Sequence, residues 1–221
     1  MSHPRTSART QPRTSPRTAW RALAWAGALV LLAGWALAPA PAEPLRSSEA
    51  VKKDMLDQFS LYLARQRLVS GRFVQTNPNG EILAGRFFLA RPGRVRFAYT
   101  VPRDMLIVSD GEEVHIRLNR TLPVESYPLE LSPLALFLHY DMDFYASHAV
   151  VGMEQSQGQI AVRLRDPEQV LPGELVMQFA WPQVELLGWI VRDSDGKEIA
   201  IRLQELRQEL TLDSRLFTMT P

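Results

Sequence analysis

A mostly antiparallel sheet protein with few helices is the fold class this sequence predicts, and three observations predict it. From Ser70 onward apolar residues fall into short runs of period two, the pattern of half-buried strands. Turn signals separate those runs at Asn77 to Gly80, Arg91 to Gly93, Asp110-Gly111, Gly152, Gly158, Pro172-Gly173 and Asp193 to Gly196. Beyond the leader, only two stretches read as helices, one following Ser48 and one following Ser132.

Taken in order, the chain opens with a leader. Residues 1–42 carry Arg5, Arg9, Arg13, Arg17 and Arg21 and no acid, and Ala22 to Ala42 is a run of 21 residues without a charge. A basic start, an apolar middle and an Ala-Pro-Ala ending have the order of a secretory signal peptide, with cleavage after Ala42 or Ala38. No two of its arginines are adjacent, so the Sec route into a bacterial periplasm is the expectation, and an uncleaved anchor is the alternative. Residues 43–221 then form a single domain.

Ser47 and Ser48 can cap a helix opening at Glu49, in which Val51, Met55, Phe59, Tyr62 and Leu63 recur at helical spacing to about Leu68. In Val95 to Tyr99 the apolar Val95, Phe97 and Tyr99 alternate with Arg96 and Ala98. Val162 and Leu164 alternate with Arg163 and Arg165, and Ile199, Ile201 and Leu203 with Ala200 and Arg202. Ile190 to Arg192, a turn over Asp193 to Gly196, and Glu198 to Leu203 read as a hairpin. Six or more such strands make a curved sheet. A second helix is expected over Ser132 to His139, with Ser132 as cap and Pro133 at its first position. Apolar on every side, it must be buried or cover something apolar.

Charge and composition exclude several function classes. The chain has 25 bases, 24 acids and no cysteine, and outside the leader 20 bases face 24 acids, a net of −4. Nucleic acid is therefore not the expected partner, since phosphate binding along a polymer needs an excess of Lys and Arg. The lack of Cys removes disulfides, thiolate metal sites, Cys nucleophiles and a lipid-bearing N-terminal Cys.

Catalytic constellations are sparse. His115, His139 and His148 stand singly, none with a partner at metal-ligand spacing, so no metal is expected. No phosphate loop, dinucleotide fingerprint or Gly-x-Ser-x-Gly elbow occurs, and no cofactor is expected. Asp193, Asp195 and Gly196 imitate the start of a calcium loop but lack its distal Glu and read as a hairpin turn. Asp141 and Asp143 imitate a glycosidase pair, which is defined by separation in space and not by sequence. The chain is expected not to be an enzyme; a hydrolase on a β scaffold is the weakest alternative.

One ordered set of residues is more specific: Phe73 and Gln75, then Gly85, Phe87, Leu89, Arg91-Pro92-Gly93, Arg96, Tyr99, Pro102, and Ile107-Val108-Ser109-Asp110-Gly111. In order and spacing it resembles the LolA family of periplasmic outer-membrane lipoprotein carrier proteins. The likeness runs from the Val51 helix to Phe217, where Phe217-Thr218 resembles the family's last strand. It implies an incomplete, half-open antiparallel β-barrel closed by a helical lid, sheltering acyl chains in an apolar cavity. By parity Phe87, Leu89, Val95, Phe97 and Tyr99 are the expected cavity residues, and Leu134, Phe137 and Leu138 the lid residues. Arg91 resembles the family's latch between barrel and lid; alternatively it satisfies carbonyls at the Pro92-Gly93 turn.

The partners so implied are acylated lipoproteins, an inner-membrane ABC-type lipoprotein-releasing complex and an outer-membrane lipoprotein acceptor, served by a monomeric carrier. A lipid- or lipoprotein-sensing module on the same fold is the alternative. An acceptor protein anchored through an N-terminal Cys conflicts with the lack of cysteine.

Overall fold

The computed structural model describes residues 48–132, 134–138, 143–168, 170–171 and 173–219. They lie within one compact unit bounded by Leu45 and Pro221. The leader, Ser47, Pro133, His139, Asp141 and Pro172 lie outside the described residues.

Helix α1 (Ser48–Arg65) has Glu49 in its first turn and Arg65 in its last, charges that complement the helix dipole. It buries Leu56, Phe59 and Leu63, with Met55 and Tyr62 packed alongside, while Val51 is exposed rather than part of the apolar stripe. The helix ends three residues short of the expected Leu68. Leu68 instead opens a strand and pairs with Ala90, so sheet pairing claims the residues that helical spacing would have extended.

Eleven strands follow: β1 (Leu68–Thr76), β2 (Ile82–Ala90), β3 (Arg94–Val101), β4 (Leu106–Asp110), β5 (Glu113–Arg117), β6 (Glu125–Pro128), β7 (Val150–Ser156), β8 (Gln159–Leu164), β9 (Glu174–Ala180), β10 (Glu185–Arg192) and β11 (Glu198–Gln208). They form one sheet in the order β6-β5-β4-β3-β2-β1-β11-β10-β9-β8-β7, every pair antiparallel. Two meanders, β1 to β6 and β7 to β11, are thus joined along the midline by β1 and β11. The expected hairpin around Asp193 to Gly196 is β10–β11, with Asp193 N–H bonded to the Lys197 carbonyl at 3.0 Å.

The sheet is curled strongly. β3 and β10 are four strand spacings apart in the hydrogen-bonding order, which is about 19 Å on a flat sheet. Yet the Phe97 ring on β3 lies 6.2 Å from the Trp189 ring on β10, edge to face. Side chains on the concave face therefore meet across the curl, and one hydrophobic core joins α1 to both meanders. Phe59 of α1 stacks on Phe179 of β9 at 4.3 Å and fixes the helix on that face.

The curl leaves two free edges, β6 and β7, which are consecutive strands in the chain. Four residues ending in Pro128 make β6 a poor template, and a bulge between Val150 and Gly152 distorts β7, both of which discourage pairing with another chain. Between them runs the segment containing a 3-10 turn (Leu129–Leu131) and α2 (Leu134–Leu138). The described α2 lies within the expected Ser132 to His139, of which Pro133 and His139 lie outside the described residues. Ser132 ends the preceding turn, its N–H bonded to the Leu129 carbonyl, and its own carbonyl accepts from the Ala135 N–H of α2 at 2.9 Å. As expected of an all-apolar helix, Ala135, Phe137 and Leu138 are buried.

The C-terminal stretch corrects another expectation. Phe217 lies in a 3-10 turn (Ser214–Phe217) packed on β3 and β4, not in a strand. The Asp213 side chain caps that turn, and Arg96 Nη1 donates to the Leu216 carbonyl at 3.0 Å. Among the described residues no helix is long and apolar enough to cross a membrane.

Candidate functional site

The residues singled out by parity converge on the concave face. Phe87 and Leu89 come from β2, and Val95, Phe97 and Tyr99 from β3; all five are at most 7% exposed. Phe87 lies across from Phe97 in register, and Phe73 of β1 sets its ring edge-on to Phe97 and Tyr99 at 5.1 and 4.9 Å. Gly85 makes that possible. A β-carbon there would collide with the Ala98 carbonyl and sit 2.8 Å from the Phe73 ring, so only glycine leaves room for the aromatic cluster.

One buried polar pair sits among these rings. The Tyr99 hydroxyl donates to Gln75 Oε1 at 2.6 Å, and Gln75 Nε2 donates to Asn77 Oδ1 at 2.7 Å. Burial pushes the Tyr99 phenol above its ordinary range. A neutral, hydrogen-bonded phenol is compatible with an apolar interior; a charged group there would need a partner.

α2 closes on the same face. The Phe137 ring stacks on Trp189 at 4.8 Å, and Leu138 is fully buried. The sequence motif explains how the helix is held. Orphan carbonyls at a helix C-terminus need donors. Arg91 Nη1 donates to the Phe137 carbonyl at 2.5 Å, and Gly93 N–H donates to the Leu138 carbonyl at 3.1 Å. The Arg91 guanidinium also lies 4.6 Å from the Phe137 ring centre.

The Arg91 side chain therefore reaches α2. It is 5% exposed, and burial brings the guanidinium down from its ordinary range to about 10, with Tyr62 of α1 close enough to offset part of that effect. Gly93 has φ 75° and lies so close to Gly111 that a β-carbon would meet the Gly111 Cα at 2.8 Å. The Arg91-Pro92-Gly93 and Asp110-Gly111 turns thus abut, and the Ser109 hydroxyl ties them together through the Gly93 carbonyl at 2.7 Å. Residues that read as separate turn signals in sequence are one scaffold beneath α2.

Leu134 opens α2, but its side chain lies outside the described residues. After the helix, the Phe144 N–H bonds to Ser60 Oγ of α1 at 3.0 Å, and the Phe144 ring meets Phe179 at 6.4 Å. Trp189 and Phe179 are central to this face and were absent from the sequence-derived set. On β10 the alternation of Leu186 to Val191 is obscured by a bulge, so parity alone does not reveal Trp189.

The concave interior is filled in this state. Phe87, Leu89, Val95, Phe97 and Tyr99 belong to one buried cluster that also takes in residues of α1 and α2. Five surface grooves, about 230 to 550 Å³ in volume, are lined by other residues, apart from Leu138. Of the remaining chemistry, His115 bridges Ser126 Oγ (Nδ1, 2.7 Å) and Asp110 Oδ2 (Nε2, 3.2 Å) on the outer face. Among the described residues no group of three metal-binding side chains assembles.

Comparison with known proteins bears on this geometry. Residues 65–220 match the family model described as outer membrane lipoprotein carrier protein LolA. The chain is similar to the outer-membrane lipoprotein carrier protein of Methylibium petroleiphilum, 35% identical over 99 residues that cover 42% of this chain and 41% of that protein. It is also similar to the protein of the same name from Methylococcus capsulatus, 27% identical over 140 residues covering 62% of this chain and 67% of that one. The match thus spans about two fifths of the first relative's length. Among solved structures, a LolA superfamily protein from Nitrosomonas europaea aligns with a TM-score of 0.45 and 9% identity, over 75% of this chain and 96% of that one.

Proposed function

Because the chain belongs to the LolA family of outer membrane lipoprotein carrier proteins, we propose that it shelters the acyl chains of lipoproteins within its curled sheet and ferries them between the two membranes of the envelope. The observation that carries this reading is the apolar concave face of Phe87, Leu89, Val95, Phe97 and Tyr99, capped by a short apolar helix held through few polar bonds. Each CH₂ removed from water is worth about 0.8 kcal/mol, so the acyl chains of one lipoprotein together represent tens of kcal/mol. Such a cargo crosses an aqueous compartment only if enclosed.

In this reading the described state is the empty one, in which the protein's own side chains occupy the space that cargo would take. α2 is the lid. When it lifts, Phe137 and Leu138 leave the concave face, Trp189 and Phe97 become accessible, and the two aromatic rows separate to admit acyl chains. Flexible aliphatic and aromatic contacts suit a carrier that must also release. Arg91 is the latch: it bonds the lid's Phe137 carbonyl in the empty form and yields as cargo enters.

The reading extends to place and partners. Residues 1–42 serve as a cleaved Sec signal, and residues 43–221 act in the periplasm as a monomer. They take lipoprotein from an inner-membrane ABC-type releasing complex and pass it to an outer-membrane acceptor. The test mixes residues 43–221 with spheroplasts making a labelled outer-membrane lipoprotein. Release of the lipoprotein in a soluble one-to-one complex is expected. Retention in the membrane, with a working carrier in parallel, overturns the proposal. Arg91→Leu is expected to lose transfer to the acceptor; transfer equal to the parent removes the latch role.

A further inference from the structure

On the outer face of the sheet, opposite Phe73 and Phe87, a groove of about 370 Å³ runs along the midline where β11, β1 and β2 meet. Its origin is a register break. Between the pairs Ser70–Arg207 and Arg72–Gln204, β11 carries one residue more than β1, and Glu205 there adopts φ 51°. The bulge spreads the outward side chains and leaves backbone at Gly71 and Gly85 as the floor.

Three arginines, Arg72, Arg86 and Arg207, line this groove together with one acid, Glu205. Arg72 and Arg86 stand directly opposite each other across the β1–β2 pair. Like charges in that relation destabilise a sheet, and an anion placed between them reverses the effect. The protein's own acids offset the charge only in part. Glu205 pairs with Arg72 at 3.5 Å, and Glu209 accepts from the Ser70 hydroxyl at 2.5 Å. Among the described residues neither Arg86 nor Arg207 forms an ion pair, Arg86 lying instead 5.7 Å from the Phe88 ring. On the β8–β10 side the pattern differs, since Arg165 and Arg192 are matched by Glu174 and Glu198.

We propose that this groove is a binding site for a phosphate group, either the phosphate of an anionic phospholipid headgroup or free phosphate. Guanidinium forks pair with oxyanions through two parallel bonds, and three arginines around one groove suit a group with several equivalent oxygens better than a carboxylate with two. The site lies on the opposite side of the sheet from the apolar interior, so it does not compete with acyl chains for space and does not depend on the carrier reading.

The test uses the protein as purified from cells, in two arms. Co-sedimentation compares vesicles of phosphatidylglycerol with phosphatidylcholine against phosphatidylcholine alone, and NMR titration with inorganic phosphate follows the Arg72, Arg86 and Arg207 side chains. Binding to the anionic vesicles is expected, falling at least tenfold in the Arg72→Gln/Arg86→Gln double variant and unchanged in Arg103→Gln, which lies outside the groove. Phosphate shifting the three arginines while vesicles bind no better identifies free phosphate as the ligand. Absence of binding in both arms overturns the site, as does equal loss in Arg103→Gln. Polyglutamate binding as tightly as either phosphate source also overturns it, in favour of an acidic protein partner. Removing both opposed cations abolishes their repulsion at the cost of one exposed ion pair with Glu205, so the double variant is expected to fold, and a urea midpoint checks this.

Discussion

Phe137→Ala separates a helix that opens on its own from one that is welded into the core. The Phe137 ring is 4% exposed, stacks on Trp189 and lies over the Arg91 guanidinium. Truncating a buried Phe costs about 3–5 kcal/mol when its surroundings cannot let go. α2, however, is a small piece. Burial of Phe137, Leu138 and Ala135 contributes about 4–6 kcal/mol, and the bonds from Arg91 and Gly93 about 2–4 kcal/mol more. Ordering five helical residues costs about 5–8 kcal/mol, which leaves an attachment of only a few kcal/mol.

The loss from Phe137→Ala therefore exceeds what holds the helix down, and α2 detaches while the sheet survives. Global stability then falls only by the attachment energy, about 2–3 kcal/mol, and not by the full cost of the cavity. Three readings follow from the variant in residues 43–221 carrying Trp181→Phe, where Trp189 is the one remaining tryptophan. Amides of α2 lose their protection against hydrogen exchange, Trp189 fluorescence moves to longer wavelength, and the urea midpoint drops modestly with an unchanged slope. Protected α2 amides with an unshifted Trp189 spectrum and a stability loss of 4 kcal/mol or more would refute the reasoning, because α2 would then unfold only with the whole sheet.

Gly85→Ala is expected to destabilise by about 2 kcal/mol or more, since its β-carbon meets the fixed Ala98 carbonyl and the Tyr99 backbone; a urea midpoint within experimental error of the parent contradicts that. Tyr99→Phe leaves Gln75 Oε1 without its donor and is expected to cost about 1–2 kcal/mol at neutral pH. It also changes the alkaline limb. Burial raises the folded-state Tyr99 above its unfolded value of 10, so the stability it contributes is present below pH 10 and lost as pH rises; urea midpoints across that range should fall less in Tyr99→Phe than in the parent. Arg91 works the other way. Burial lowers it from the ordinary guanidinium range to about 10, so the unfolded chain holds that proton longer and stability is gained above pH 10; Arg91→Met is therefore expected to steepen the alkaline loss, and an unchanged slope counts against a buried cation.

Local pattern made much of this legible. Alternation placed Val95, Phe97 and Tyr99 on one face, and the Asp110-Gly111 and Asp193 to Gly196 signals fell at real turns, because both are properties of neighbouring residues. The all-apolar composition of Leu134 to Leu138 foretold burial. Joining of β1 to β11 was not legible, since Gln75 and Ile201 pair without any local sign of each other. Parity gave Phe87 and Leu89 a face but could not say that the face would be filled by Trp189 and Phe137. Leu68 and Phe217 show the limit at element ends, where pairing and packing with distant strands override spacing.

The midline seam between β1 and β11 has one more consequence. Every other pair of neighbouring strands within each meander follows directly in the chain, whereas this pair is held by hydrogen bonds and packing alone. A single cut between Leu129 and Ala149 would therefore leave two fragments, each a complete meander, that share the seam as their interface. Such fragments form a natural split reporter: their reassociation constant measures how firmly the two halves grip each other, free of the tether that ordinarily keeps them together. Any ligand that wedges the curl open would register directly as a weaker union of the halves.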